Sequence, residues 1–177
     1  MESWHRDKAR QAGIPHDFVQ DNISESKRNV LRGLHFQWPN PQGKLVHVLQ
    51  GRILDVAVDL RTDSATFGRW RGVELSADDN RQFYIPEGYA HGFCVLSARA
   101  LVLYKCTRVY DKTTEQCLAW NDPELAIRWP VMDPILSTKD ASARCLSQFV
   151  AAELPLSDPV GNGAVEAQIN LNRGACV

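Results

Sequence analysis

Residues 44–60 read Lys44-Leu45-Val46-His47-Val48-Leu49-Gln50-Gly51-Arg52-Ile53-Leu54-Asp55-Val56-Ala57-Val58-Asp59-Leu60. Two runs rich in Val, Ile and Leu flank a Gln50-Gly51 pair, which predicts strands over 44–50 and 52–60 joined by a tight turn. In the second run the two-residue strand period is expected to turn Asp55, Ala57 and Asp59 to one face, apart from Ile53 and Val58. Asp55 is then expected to meet a polar interior or solvent.

The same texture extends in both directions. Strands are predicted over 30–37, 70–75, 82–85, 91–96 and 101–109, each enriched in β-branched or aromatic residues. Pro39-Asn40-Pro41-Gln42-Gly43 forms a compact loop and Ala77-Asp78-Asp79-Asn80 a polar reversal. Ser3 to Gly13 reads as a short surface helix stopped by Gly13 and Pro15. Asp133 to Leu146 reads as a loop followed by a short helix carrying Ala141, Ala143, Cys145 and Leu146. Many short strands with short peripheral helices predict an all-β sandwich of jelly-roll type, the member of that class with roomy interior clefts. One domain over 1–150 is expected, and a flexible tail over 151–177, where Gly, Asn, Pro, Ser and Ala replace large apolar residues.

Composition narrows the function classes. With 20 Lys and Arg against 21 Asp and Glu, the net charge of −1 offers no field for a phosphate backbone, so no nucleic-acid partner is expected. Apolar stretches such as Leu101 to Tyr104 are too short to cross a bilayer, and Met-Glu-Ser-Trp-His-Arg does not read as a signal peptide. A soluble cytoplasmic protein is expected. Cys94, Cys106, Cys117, Cys145 and Cys176 are odd in number and lack a Cys-x-x-Cys pair, a pattern of reduced thiols, most of them small buried apolar residues.

Three histidines, His35, His47 and His91, fall in strand-rich segments. Pro86-Glu87-Gly88-Tyr89-Ala90-His91 resembles the second cupin motif, P-x-G-x-x-H. A metal cupin also needs an H-x-H pair, and Gln37 stands where the second histidine of such a pair would be, so no metal is expected. His35 is then either a hydrogen-bonded core histidine or a general base, for which an unperturbed pKa of about 6.5 suits it. A neighbouring carboxylate would hold its tautomer, and spacing does not choose which. Tyr104, opposite Leu103 in strand alternation, reads on spacing alone as a packed aromatic with its hydroxyl satisfied. Lys44 is either a solvated charge or a site residue.

Taken together, several segments resemble the dTDP-4-dehydrorhamnose 3,5-epimerase family. They include Phe18 to Asn22, Asn29 to Gln37, Gln42 to Val46, Asp55 to Asp59, Thr66 to Gly68, Val73 to Ala77, Ile85 to Phe93, Leu103 to Lys105, Trp120 to Pro123 and Lys139 to Ala141. Their order and spacing agree from Glu2 to about Leu146. The resemblance implies a metal-free, cofactor-free, cupin-like jelly roll acting on a dTDP-linked keto-deoxysugar as a homodimer. It implies that His35 removes the proton beside the ketone, Asp140 hydrogen-bonds that imidazole, Tyr104 returns a proton on the opposite side, and Lys44 stabilises the enolate oxygen. It assigns substrate contacts to Glu2, Gln20, Asp21, Asn22, Arg32, Asp55, His91, Glu115 and Lys139.

The implied reaction is epimerisation of dTDP-4-dehydro-6-deoxy-D-glucose at carbons 3 and 5 to dTDP-4-dehydro-L-rhamnose. Rival readings are a single-position epimerase, a non-catalytic nucleotide-sugar-binding protein and a metal-dependent cupin oxygenase. Family members begin with a further strand that ends in Arg-Gly-Phe-Phe, helps pair subunits and binds nucleotide; this sequence opens at the following Glu-Ser-Trp.

Overall fold

A computed structural model describes residues 2–157 and the backbone of 168–169. Its elements, in chain order, are α1 (Arg6–Gln11), β1 (Gln20–Lys27), β2 (Leu31–Gln37), β3 (Lys44–Gln50), β4 (Arg52–Asp59), β5 (Trp70–Ser76), β6 (Gln82–Ile85), β7 (Tyr89–Val95), β8 (Arg99–Cys106), β9 (Glu115–Cys117), α2 (Thr138–Ala141) and β10 (Gln168–Ile169). Two antiparallel sheets form, ordered β1-β8-β3-β6-β10 and β5-β4-β7-β2-β9. They pack as a jelly-roll sandwich with short peripheral helices. Among the described residues no helix is long and apolar enough to cross a membrane.

The predicted hairpin is present, but its strands join different sheets. Gly51, at φ +80°, makes the turn, and a Cβ there would sit 2.1 Å from the Arg99 carbonyl oxygen, so only glycine fits. β3 pairs with β8 and β6, whereas β4 pairs with β5 and β7. Inward residues from both sheets build one core: Val46, Val48, Phe83 and Val102 from the first, Ile53, Ala57, Val73 and Phe93 from the second. Ile53 therefore shares the inward face with Asp55 and Ala57, which corrects the expected split. Two-residue alternation keeps odd-numbered residues together, and Val58 points the other way with Leu54 and Val56, into a separate cluster.

Both outer faces carry partial covers. Ala9 and Ile14 of the N-terminal segment pack with Trp4 and Phe18 on Leu45 and Tyr84 of the first sheet. On the second sheet, Leu34, Phe36, Val56 and Val58 are covered by Leu118, Leu125, Leu146, Phe149 and Leu154. The chain thus stays packed beyond residue 150: Leu154 is buried, and Thr62 N–H donates to the Pro155 carbonyl at 2.9 Å. The rest of the expected tail, 158–177, lies outside the described residues apart from the β10 backbone, as does Cys176.

Three strands were not legible, among them the two-residue β10, which falls in the expected tail. β1 reads Gln-Asp-Asn-Ile-Ser-Glu-Ser-Lys and is an edge strand, so its polar side chains need no core. β9 is three residues long. The late helix also lies earlier than expected. Ser137 caps α2 by accepting from Asp140 N–H, so the turn forms over Thr138–Ala141 rather than over Ala141 to Leu146.

Candidate active site

Two adjoining clefts of about 280 and 400 Å³ are lined from both sheets, and His35, Lys44, Tyr104, Tyr110 and Glu115 border both of them. His35 stands on β2 of one sheet and Tyr104 on β8 of the other, so they border shared space from opposing sheets. Lys44 opens β3, two residues before Val46, the register partner of Tyr104.

An irregularity in β2 assembles one wall. Simple alternation would send Arg32 and His35 to opposite faces. The register shifts between them, at Gly33, and both line the larger cleft beside His91. Gly33 adopts φ +113°, and a Cβ there would lie 2.6 Å from the His91 carbonyl oxygen and 2.7 Å from Gly92 Cα. Only glycine satisfies both the backbone angle and the space.

Behind His35 stands Asp140, 3% exposed, whose Oδ1 meets His35 Nε2 at 2.6 Å. Ser137 Oγ donates to Oδ2 at 2.7 Å, and the Cys117 thiol donates weakly to Oδ1 at 3.5 Å. Burial alone would raise the Asp140 carboxyl, but hydrogen bonds from His35 and Ser137 and the charge of His35 bring it down to about 2. The imidazole is thus oriented by an ionised carboxylate, with Nδ1 left for the cleft. Burial raises Tyr104, which keeps its phenol protonated at neutral pH. It lowers Lys44, while Cys106, Asp55 and Glu115 act the other way. An anionic oxygen arriving beside Lys44 would restore the balance toward the ammonium.

A second pair lies deeper. His91 Nε2 meets Asp55 Oδ1 at 2.6 Å, with both side chains buried. Burial lowers His91 and Asp55 opposes that shift. Around the mouth, Arg32 Nε donates to Ser26 Oγ, Lys139 pairs with Glu115 at 2.5 Å, and Tyr110 donates to Glu115 Oε2 at 2.7 Å. Gln20 Nε2 donates to Asn22 Oδ1, and Gln20 Oε1 accepts from the Tyr110 N–H.

The expected site residues are mostly gathered here, and three are not. Asp21 alternates out of the wall between Gln20 and Asn22 and binds Lys105 at 2.8 Å on the far face. Glu2 is exposed against Lys8 at 2.6 Å. Asp55 is fully buried and reaches the cleft through His91. Sequence reading missed Ser24, Phe93, Tyr110 and Lys112 as lining residues, along with Ser137 and Cys117 behind the histidine. Strand parity within the polar β1 could have found Ser24; the others depend on pairings between distant segments.

Among the described residues, one group, His35, Cys117 and Asp140, brings metal-ligating atoms within 4.8 Å of one another. Gln37 is engaged elsewhere, donating to the Asn40 carbonyl and accepting from the Asp111 N–H. Chemically, the site offers an oriented imidazole on one wall, a protonated phenol on the other and an ammonium nearby. That set suits removal and return of a proton at a carbon beside a carbonyl.

A family model described as dTDP-4-dehydrorhamnose 3,5-epimerase matches residues 1–148. A dTDP-4-dehydrorhamnose 3,5-epimerase of Neisseria gonorrhoeae is 52% identical over 142 residues, 80% of this chain and 43% of that protein. The one from Shigella flexneri is 49% identical over 155 residues, 86% of this chain and 84% of that protein. The crystal structure of the dTDP-6-deoxy-D-glucose-3,5-epimerase of Legionella pneumophila in complex with dTDP-4-keto-L-rhamnose superposes with a TM-score of 0.85 at 50% identity. That likeness covers 89% of this chain and 85% of that one.

Proposed function

Because the chain belongs to the dTDP-4-dehydrorhamnose 3,5-epimerase family, we propose that it is an isomerase converting dTDP-4-dehydro-6-deoxy-D-glucose to dTDP-4-dehydro-L-rhamnose. The observation that carries this reading is that His35 and Tyr104 come from opposing sheets and border the same clefts. Inversion needs a base on one side of the sugar and an acid on the other, since a single group would tend to hand its proton back.

The keto sugar lies between them. His35 Nδ1 takes the proton from the carbon beside the ketone, and the imidazolium that forms is stabilised by Asp140. Charge grows on the carbonyl oxygen, where Lys44 meets it. Tyr104 delivers a proton from the opposite side, and the carbon is inverted. Applied at both carbons that flank the ketone, the same pair produces the double epimer. None of these steps calls on a metal or cofactor.

The nucleotide diphosphate is held at the mouth. Arg32 offers its planar fork to phosphate oxygens, and Gln20, Asn22, His91, Glu115 and Lys139 complete the contacts. The domain covers residues 1–150 together with the packed stretch to 157. The protein works as a cytoplasmic homodimer, without nucleic-acid partners. Self-association is supported by the edge at β1, where Ile23, and Val19 just before the strand, are 63% and 60% exposed, a combination that free sheet edges avoid.

Incubation with the keto-glucose substrate in D₂O, read by NMR, tests the proposal. Two deuterium atoms per product, at carbons 3 and 5, are expected; one alone makes this a single-position epimerase. No exchange with substrate bound would reduce the chain to a binding protein.

A further inference from the structure

The wall behind the proposed base carries a donor that the reaction leaves unused. Cys117 is the register partner of His35 across the β2–β9 ladder, so both side chains leave it on one face. Asp140 arrives at the same spot from α2. An imidazole nitrogen, a sulfur and a carboxylate oxygen thus stand within 4.8 Å of one another.

From this geometry we infer that His35, Cys117 and Asp140 form a site for a thiophilic divalent cation such as Zn²⁺, whose binding switches the epimerase off. The inhibitory half rests on the role proposed above for His35; the binding half rests on geometry alone.

Sulfur, nitrogen and oxygen together are a zinc-type donor set. Donor atoms around a tetrahedral zinc stand roughly 3.3 to 3.8 Å apart. Cys117 Sγ and Asp140 Oδ1, at 3.5 Å, already fit, whereas His35 Nε2 and Oδ1, at 2.6 Å, have to part as the ion enters between them, and the sulfur and the imidazole, within 4.8 Å, have to draw together. Ser137 already orients the carboxylate through Oδ2, a supporting contact of the kind that fixes metal ligands. The neighbouring cation, Lys139, is paired with Glu115 at 2.5 Å, so its charge opposes an incoming ion less.

The proton balance explains the inhibition. The ion replaces the thiol proton of Cys117, which leaves to solvent, and a metal–sulfur bond forms. His35 must give Nε2 to the ion, so the imidazole proton moves to Nδ1. Nδ1 then carries a proton and accepts none from the sugar. Carboxylate and thiolate together supply two negative charges against the two positive charges of the ion.

The full chain, stripped with a chelator, would be titrated with ZnCl₂ and CdCl₂ by calorimetry and ultraviolet absorbance, with deuterium exchange followed in parallel. One Zn²⁺ per chain is expected, with a thiolate-to-cadmium charge-transfer band, loss of exchange as the site fills, and recovery on adding chelator. C117S and C117A should each weaken Zn²⁺ binding by about tenfold or more and lose the cadmium band. Unchanged affinity in a folded Cys117 variant, or no band in the native chain, overturns the inference. Exchange by a chain that binds neither metal overturns it while leaving the epimerase reading standing. Metal capture through Cys117 in a chain that never exchanges overturns the epimerase reading, and the inhibitory half falls with it.

Discussion

At Asp140, behind His35, burial and hydrogen bonding oppose each other. Its carboxyl lies at about 2, below the ordinary 3.8, so the folded state gains stability from its ionised form above about pH 4 and loses it as the pH falls through 2. That difference corresponds to about 2 kcal/mol. Asp140→Asn should be less stable by about that amount at neutral pH, and urea unfolding from pH 5 to 2 should show the gap closing as acid is added. Tyr104→Phe removes the proton carried by the opposite wall while keeping the ring packed against the core. Turnover should fall by about 10² to 10⁴ with KM little changed, in steady-state kinetics. At this scale the family strings named the residues, and strand parity decided which of those on β1 line the clefts. Asp21 lies between two cleft residues and still faces away, because a strand turns successive side chains to opposite sides.

Among the elements, β2 shapes the site most. Its register shift brings Arg32 and His35 to one cleft, and it depends on Gly33. Gly33→Ala should cost about 1 to 3 kcal/mol and disturb the wall as well, so melting temperature and deuterium exchange should fall together. Retention of full activity in a destabilised variant would separate the bulge from the chemistry. The edge strand β1 gives a second outcome. Ile23→Lys places a charge on that exposed edge, and if the proposed homodimer forms there, light scattering after gel filtration should show it giving way to monomer. The central strands were legible because β-branched residues recur between turn signals. β1 and β9 were not, since an edge strand and a three-residue strand draw their stability from neighbours rather than from their own apolar residues.

For the whole molecule, two partial covers complete a sandwich that the strands alone leave open. The C-terminal cover is anchored by Phe149, tilted against Phe36 with ring centroids 5.7 Å apart. Phe149→Ala should cost about 3 kcal/mol, measured by the shift of the urea midpoint at constant slope. Local propensity was enough to read the strand-rich architecture and the turn at Gln50-Gly51, because β-branched runs and a glycine turn carry their own signal; His35, Tyr104 and Lys44 stood out only through the family strings. Tertiary structure alone decided which residues meet. His35 reaches a carboxylate 105 residues away and faces Cys117 across a ladder, and Asp55 arrives only behind His91. Such contacts depend on strand register and on one bulge, which are set by packing between distant segments and leave no periodic mark in the chain.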